Sequence, residues 1–148
     1  MHKWKNKITK GNSAYSEGCD SEALHYYQAA CQRAEQLLPH WFDVEAITAA
    51  LVVSYQNLAE LYLRQSLYID ALITYRSLHL HLRNFSLANS GDDSTQSIIH
   101  RAYRRIGTEL AAMLKVLDLQ DPKATELMDE IKDIFENHTN ELNKDNFQ

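Results

Sequence analysis

Glycine and proline are scarce in this chain of 148 residues, which has four of the first and two of the second. Repeated tight β-turns draw on both, so their scarcity argues against an all-β sandwich or barrel. Cysteine is too sparse for a disulfide framework. Cys19 and Cys31 form no CxxC pair and read as ordinary free thiols. Long hydrophobic runs are missing as well. The most apolar stretch, Ala46 to Val53, contains Thr48 and is too short to span a bilayer. The basic start, Met1 to Lys7, is followed by no apolar segment of signal-peptide length. The expectation is a soluble, cytoplasmic chain with no membrane partner. Excess positive charge is also lacking. With 20 acidic residues against 15 basic ones, the net charge is −5, which speaks against a general nucleic-acid binder.

What is present is helical and repeated. Apolar residues make up 45% of the chain, enough for the core of one domain. Gly11, Ala59 and Gly107 lie 48 and 48 residues apart, and the same spacing relates Ala23 to Ala71 and Tyr27 to Tyr75. Leu51, Tyr55, Leu58, Tyr62 and Leu63 recur at steps of three and four, as one face of an amphipathic helix requires. Where two antiparallel helices approach closely, a large side chain would push the backbones apart. That accounts for the small residues at 11, 59 and 107 and, from the partner helix, for Ala23, Ala30 and Ala71.

Boundary signals divide the pattern. Gly18 with Asp20-Ser21 supplies a turn and an N-cap before Glu22, and Gln65-Ser66 is a break. Pro39 closes the second helix and Asp43 caps the third. Gly91-Asp92-Asp93-Ser94 is a loop with a cap for the fifth helix, and Asp121-Pro122 opens the sixth. These signals predict helices near 3–17, 21–38, 43–65, 68–88, 94–118 and 122–142. The expected fold class is all-α, with three antiparallel helix–turn–helix units at about 3–38, 43–88 and 94–142. Together they form one domain over 1–142, followed by a flexible acidic and polar tail at 143–148.

The second unit, with Tyr55-x-x-Leu58-Ala59-x-x-Tyr62, then Tyr68, then Ala71-x-x-x-Tyr75, resembles the tetratricopeptide repeat. The first keeps Gly11, Gly18, Ala23, Tyr27 and Ala30, with Lys7 and Lys10 where large apolar residues are usual. The third keeps Tyr103, Ile106, Gly107 and Leu110, and places Ala124 and Met128 in the second-helix positions after a five-residue insertion. The family's unit is about 34 residues long, so the longer period looks closer to the extended repeats of kinesin light chains. The resemblance implies a short superhelix whose concave surface binds peptides or proteins without catalysis or cofactor.

On that surface the first unit contributes Lys5, Ile8, Asn12 and Tyr15. The second contributes Val53, Gln56, Asn57, Glu60 and Arg64, and the third Arg101, Arg104, Arg105 and Thr108. Asn12, Asn57, Arg101 and Arg105 resemble the clamp with which some family members hold a C-terminal carboxylate, with Ile8 in place of the first lysine. The chemistry is reasonable, because arginine bonds a carboxylate bidentately and Arg101 and Arg105 stand one helical turn apart. The implied partner is a protein or peptide with acidic residues or a free carboxylate. Trp41-Phe42, after Pro39, is either a cover over the end of the core or an exposed contact for a partner or a second copy.

Other sites are not expected. His79 and His81 are two apart and cannot share a metal on one helix, and no GxSxG, HExxH, P-loop or GxGxxG occurs. Two further readings are a structural homo-oligomer and a small acidic chaperone that holds a secretion substrate. The charge is unevenly placed. Residues 118–148 hold nine acids and three lysines, a net of −6, which leaves about +1 for everything before them. The groove is therefore neutral to basic, and the acidic C-terminus is a candidate competitor for it.

Overall fold

The computed structural model describes residues 1–114 and 121–133. Five helices follow one another: α1 (His2–Ser16), α2 (Asp20–Leu37), α3 (Val44–Arg64), α4 (Tyr68–Ala88) and α5 (Asp93–Leu114). A sixth, α6, covers 122–133, and no strand occurs among the described residues. The fold is all-α, each helix packing on the next from α1 to α5, while α3 also touches α1 and α5. The expected ends of the fifth and sixth helices, and the tail at 143–148, lie outside the described residues.

The hairpin turns follow from local chemistry. After α1, Gly18 N–H donates to Tyr15 O at 3.2 Å and Cys19 N–H to Ala14 O at 2.9 Å. After α3, Ser66 N–H donates to Leu63 O at 3.0 Å and Leu67 N–H to Tyr62 O at 2.8 Å. Both are Schellman closures, which need a left-handed residue just past the helix. Gly18 has φ 76° and Ser66 φ 60°, so the 48-residue period extends to the turn itself. Serine carries a Cβ that this conformation disfavours. Ser66→Gly should therefore raise the unfolding free energy by about 0.5–1 kcal/mol, seen as a higher urea midpoint at unchanged slope.

The caps agree with expectation except at one place. Asp43 Oδ1 accepts from Ala46 N–H at 3.0 Å, and Asp92 accepts from the N–H groups of Ser94 and Thr95 at 3.1 and 3.2 Å. Those bonds hold the Asp92 carboxyl below its usual range. Asp121 accepts from Lys123 N–H at 3.0 Å beside Pro122. The exception is α2, where Asp20 is already helical and Cys19 is the cap residue, without a side-chain cap bond. Asp20 is instead drawn to Arg64, described below.

The core runs through all three units. Ala23, Ala30, Ala59 and Ala71 are fully buried, as their role at close helix contacts requires. Ala124 and Met128 are buried too, with Leu127 and Ile131, so α6 turns an apolar face to the core. Trp4 Nε1–H donates to the buried Ser54 Oγ at 2.7 Å and ties α1 to α3. Cys19 is exposed and Cys31 buried, and both are free thiols. Burial pushes the Cys31 thiol well up, so it stays protonated.

Three helices meet at Glu35 of α2. Its carboxylate accepts from the Tyr55 hydroxyl of α3 and faces His81 Nε2 of α4 at 3.3 Å. Burial raises the Glu35 carboxyl, but the hydrogen bonds from His81 and Tyr55 and the charge of His81 outweigh it, so its pKa is lowered. A depressed carboxyl contributes stability above its ordinary value of 4.5 and loses it as pH falls below. Glu35→Gln should destabilise the protein at neutral pH and flatten the acid side of its stability profile, which thermal unfolding between pH 3 and 7 would reveal. An unchanged acid slope would show that Glu35 does not contribute to it.

Candidate functional site

The first helices of the hairpins, α1, α3 and α5, lie side by side, so residues from three distant stretches of sequence form one polar strip. At one end stands Arg64 of α3. Its guanidinium carbon lies 3.6 Å from the centre of the Tyr15 ring, and Nη1 donates to Tyr15 O at 2.9 Å. Nη2 pairs with Asp20, the first residue of α2. Arg64 therefore fastens α3 to the first hairpin and stands apart from the other arginines.

Next along the strip, Asn12 Oδ1 accepts from the Tyr27 hydroxyl at 2.8 Å and from Asn57 Nδ2–H at 3.3 Å. The two expected asparagines do meet, one from each of two units. Burial, then the nearby Tyr15 and Glu60, push the Tyr27 phenol up to about 12, so at neutral pH it is a firm donor to Asn12. Burial, then Glu109 and Glu60, do the same to Tyr75. Ile8 is buried, so it lines the core rather than the groove. It follows the 3.6-residue stripe with Gly11 and Tyr15, and its position in the stripe outweighs its register in the repeat.

At the far end, buried Gln56 donates to Glu109 of α5, and Arg105 Nε stands 3.6 Å from the same carboxylate. Gln56 is thus already engaged within the chain. Arg101 Nη2 lies 3.8 Å from Glu45 of α3. Arg101 and Arg105 are each 61% exposed at the side chain, so both pairings are loose and solvent-screened.

Two recesses adjoin this arginine pair. A broad one of about 950 Å³ runs along α5, lined among the described residues by Arg101, Arg104, Arg105, Gly107, Thr108, Ala111 and Ala112. A smaller cleft of about 190 Å³ separates α3 from α5, between Glu45, Thr48, Ala49 and Val52 on one side and Ile98, Arg101, Ala102 and Arg105 on the other. Arg101 and Arg105 border both, whereas Arg104 faces only the first. Elsewhere, Trp41 packs against the core, while Phe42, its ring centre 5.2 Å away, is 87% exposed. The expected Trp41-Phe42 pair divides into one cover and one exposed ring.

Reasoning from the sequence alone missed Tyr27 as a donor in the strip, and Asp20 and Glu45 as partners of its arginines. Their signal lies in spatial pairing, which repeat spacing does not carry. His79 is buried and its ring centre lies 5.2 Å from that of Tyr103, whereas His81 turns to Glu35. Among the described residues, no group of three His, Cys, Asp or Glu side chains is placed to hold a metal ion. No described helix is long and apolar enough to cross a membrane.

Fold and site together define an all-α stack of helical hairpins with a mixed polar strip ending in an arginine pair. The chain belongs to the protein family of unknown function DUF2753, whose profile matches residues 2–147. No curated protein and no solved structure matches it.

Proposed function

We propose that the protein is a non-enzymatic interaction module of the tetratricopeptide kind, holding a peptide or protein segment along α1, α3 and α5 by an acidic group. The observation that carries this reading is the arginine pair. Arg101 and Arg105 share one face, border both recesses, and have carboxylate neighbours only at 3.8 and 3.6 Å. An incoming carboxylate with better geometry can displace Glu45 and Glu109, because exposed pairs of that length contribute little. Asn12 and Asn57, linked to each other 3.3 Å apart, keep further amide donors for a peptide backbone. The 48-residue period and its paired Schellman turns support the repeat kinship.

The test is binding of a labelled acidic peptide with a free carboxylate to the wild type and to Arg101→Ala and Arg105→Ala. Each substitution should weaken binding by roughly tenfold or more, the scale of a charged hydrogen bond, while circular dichroism stays unchanged. Equal affinity in all three proteins would remove the arginine anchor. A second reading, a homo-oligomer, draws support from the 87% exposure of Phe42. Light scattering on the wild type and Phe42→Ser separates it from the first.

A further inference from the structure

We infer that the cleft between α3 and α5 is a side-chain subsite, which takes one branched apolar side chain from the C-terminal residue of a peptide whose carboxylate meets Arg101 and Arg105. The inference rests on the groove reading above and adds what the groove selects. The cleft's size is the first argument. An engineered cavity of about 150 Å³ holds benzene, and drug-sized ligands need about 300 Å³ or more. At about 190 Å³, this cleft suits one leucine-sized group.

Its lining is the second argument. Ala49 and Ala102 leave the space that larger residues would fill, and Val52 and Ile98 supply apolar walls. Arg101 and Arg105 at the rim demand an anion close beside that apolar group, a juxtaposition that a C-terminal apolar residue provides within one amino acid. Glu45, 70% exposed at its side chain, can give up Arg101 without leaving a buried charge. A third observation is Thr48 in the cleft wall. It is 2% exposed, and its hydroxyl has no hydrogen-bond partner among the described residues. Threonine divides between two rotamers in a helix, so its hydroxyl can turn to a main-chain group of an occupant.

The experiment measures fluorescence anisotropy of two labelled peptides, Gly-Asp-Glu-Glu-Leu and Gly-Asp-Glu-Glu-Gly, each with a free C-terminal carboxylate, on the full chain. The leucine peptide should bind about tenfold or more tightly, the scale of burying that side chain. Ala49→Leu, at an exposed helical position that tolerates leucine, should fill the cleft and erase the preference. Thr48→Val should weaken the leucine peptide several-fold without lowering thermal stability. Equal affinity of the two peptides for the wild type overturns the subsite, and so does a preference that survives Ala49→Leu. If both peptides bind equally and Arg105→Ala weakens both, the groove stands and the subsite falls. If neither binds, both readings fall.

Discussion

Gly11→Ala should destabilise the protein by about 1 kcal/mol, even though alanine is the better helix former by up to about 1 kcal/mol. A Cβ at Gly11 would come within 2.6 Å of Cδ1 and Cε1 of the Tyr27 ring. That ring cannot easily yield. It is 2% exposed in the α1–α2 contact, and its hydroxyl is committed to Asn12 at 2.8 Å. Overpacking of a formed core costs about 1–3 kcal/mol, which exceeds the propensity gain. For a domain of this size the melting temperature should fall by about 2–4 °C. Gly91 serves as the control, since nothing lies within 4 Å of a Cβ there. Gly91→Ala should leave the urea midpoint unchanged. Equal effects of the two substitutions would show that the close approach at Gly11 is not constraining.

Tyr103→Ala should have a larger effect, about 3–5 kcal/mol, and it should be confined mainly to the third hairpin. Tyr103 is 1% exposed, its hydroxyl donates to His79 O at 2.8 Å, and its ring packs against the His79 ring. It links α5 to α4 together with Gln96 of α5, whose amide accepts from Ser86 Oγ of α4 at 2.7 Å and donates to Ser86 O at 2.9 Å, while Arg76 and Glu130 add a half-exposed pair at 3.2 Å between α4 and α6. In stacked hairpins each unit is supported chiefly by its neighbour, so loss of one interface frees the terminal unit first. Hydrogen exchange should show lost protection in α5 and α6, with α1 to α3 retained. Uniform loss along the chain would indicate a single cooperative unit. Tyr103→Phe keeps the ring and should cost only about 1 kcal/mol, the hydrogen bond alone.

Much of this architecture is legible in the chain because its rules act over short distances. Asp43 and Asp92 cap helices as their sequence context requires, and Gly18 and Ser66 turn the chain at equivalent points. Small residues at 48-residue spacing mark close contacts at Gly11 and Ala59, whereas the third, Gly107, is only half-buried and lines the recess along α5. The site was legible only in part. Asn12 and Asn57 do meet, and Arg101 and Arg105 share a face, as their registers imply. Arg64, of the same charge and the same expected surface, is taken up by Asp20 and Tyr15. Nothing along the chain distinguishes it, because its partners lie 44 and 49 residues away.

By itself, then, the sequence determined the helices, the turns and the residues at which hairpins close. These depend on backbone hydrogen bonding, capping and apolar periodicity within a few residues. The tertiary structure alone decided which polar groups are paired within the chain and which stand exposed beside the recesses. Gln56 reads as a groove residue, yet it is buried on Glu109, 53 positions on. Whether such a pair forms depends on the spacing and register of α3 against α5. Packing across the whole stack sets that geometry, and the same packing opens the cleft beside the arginine pair.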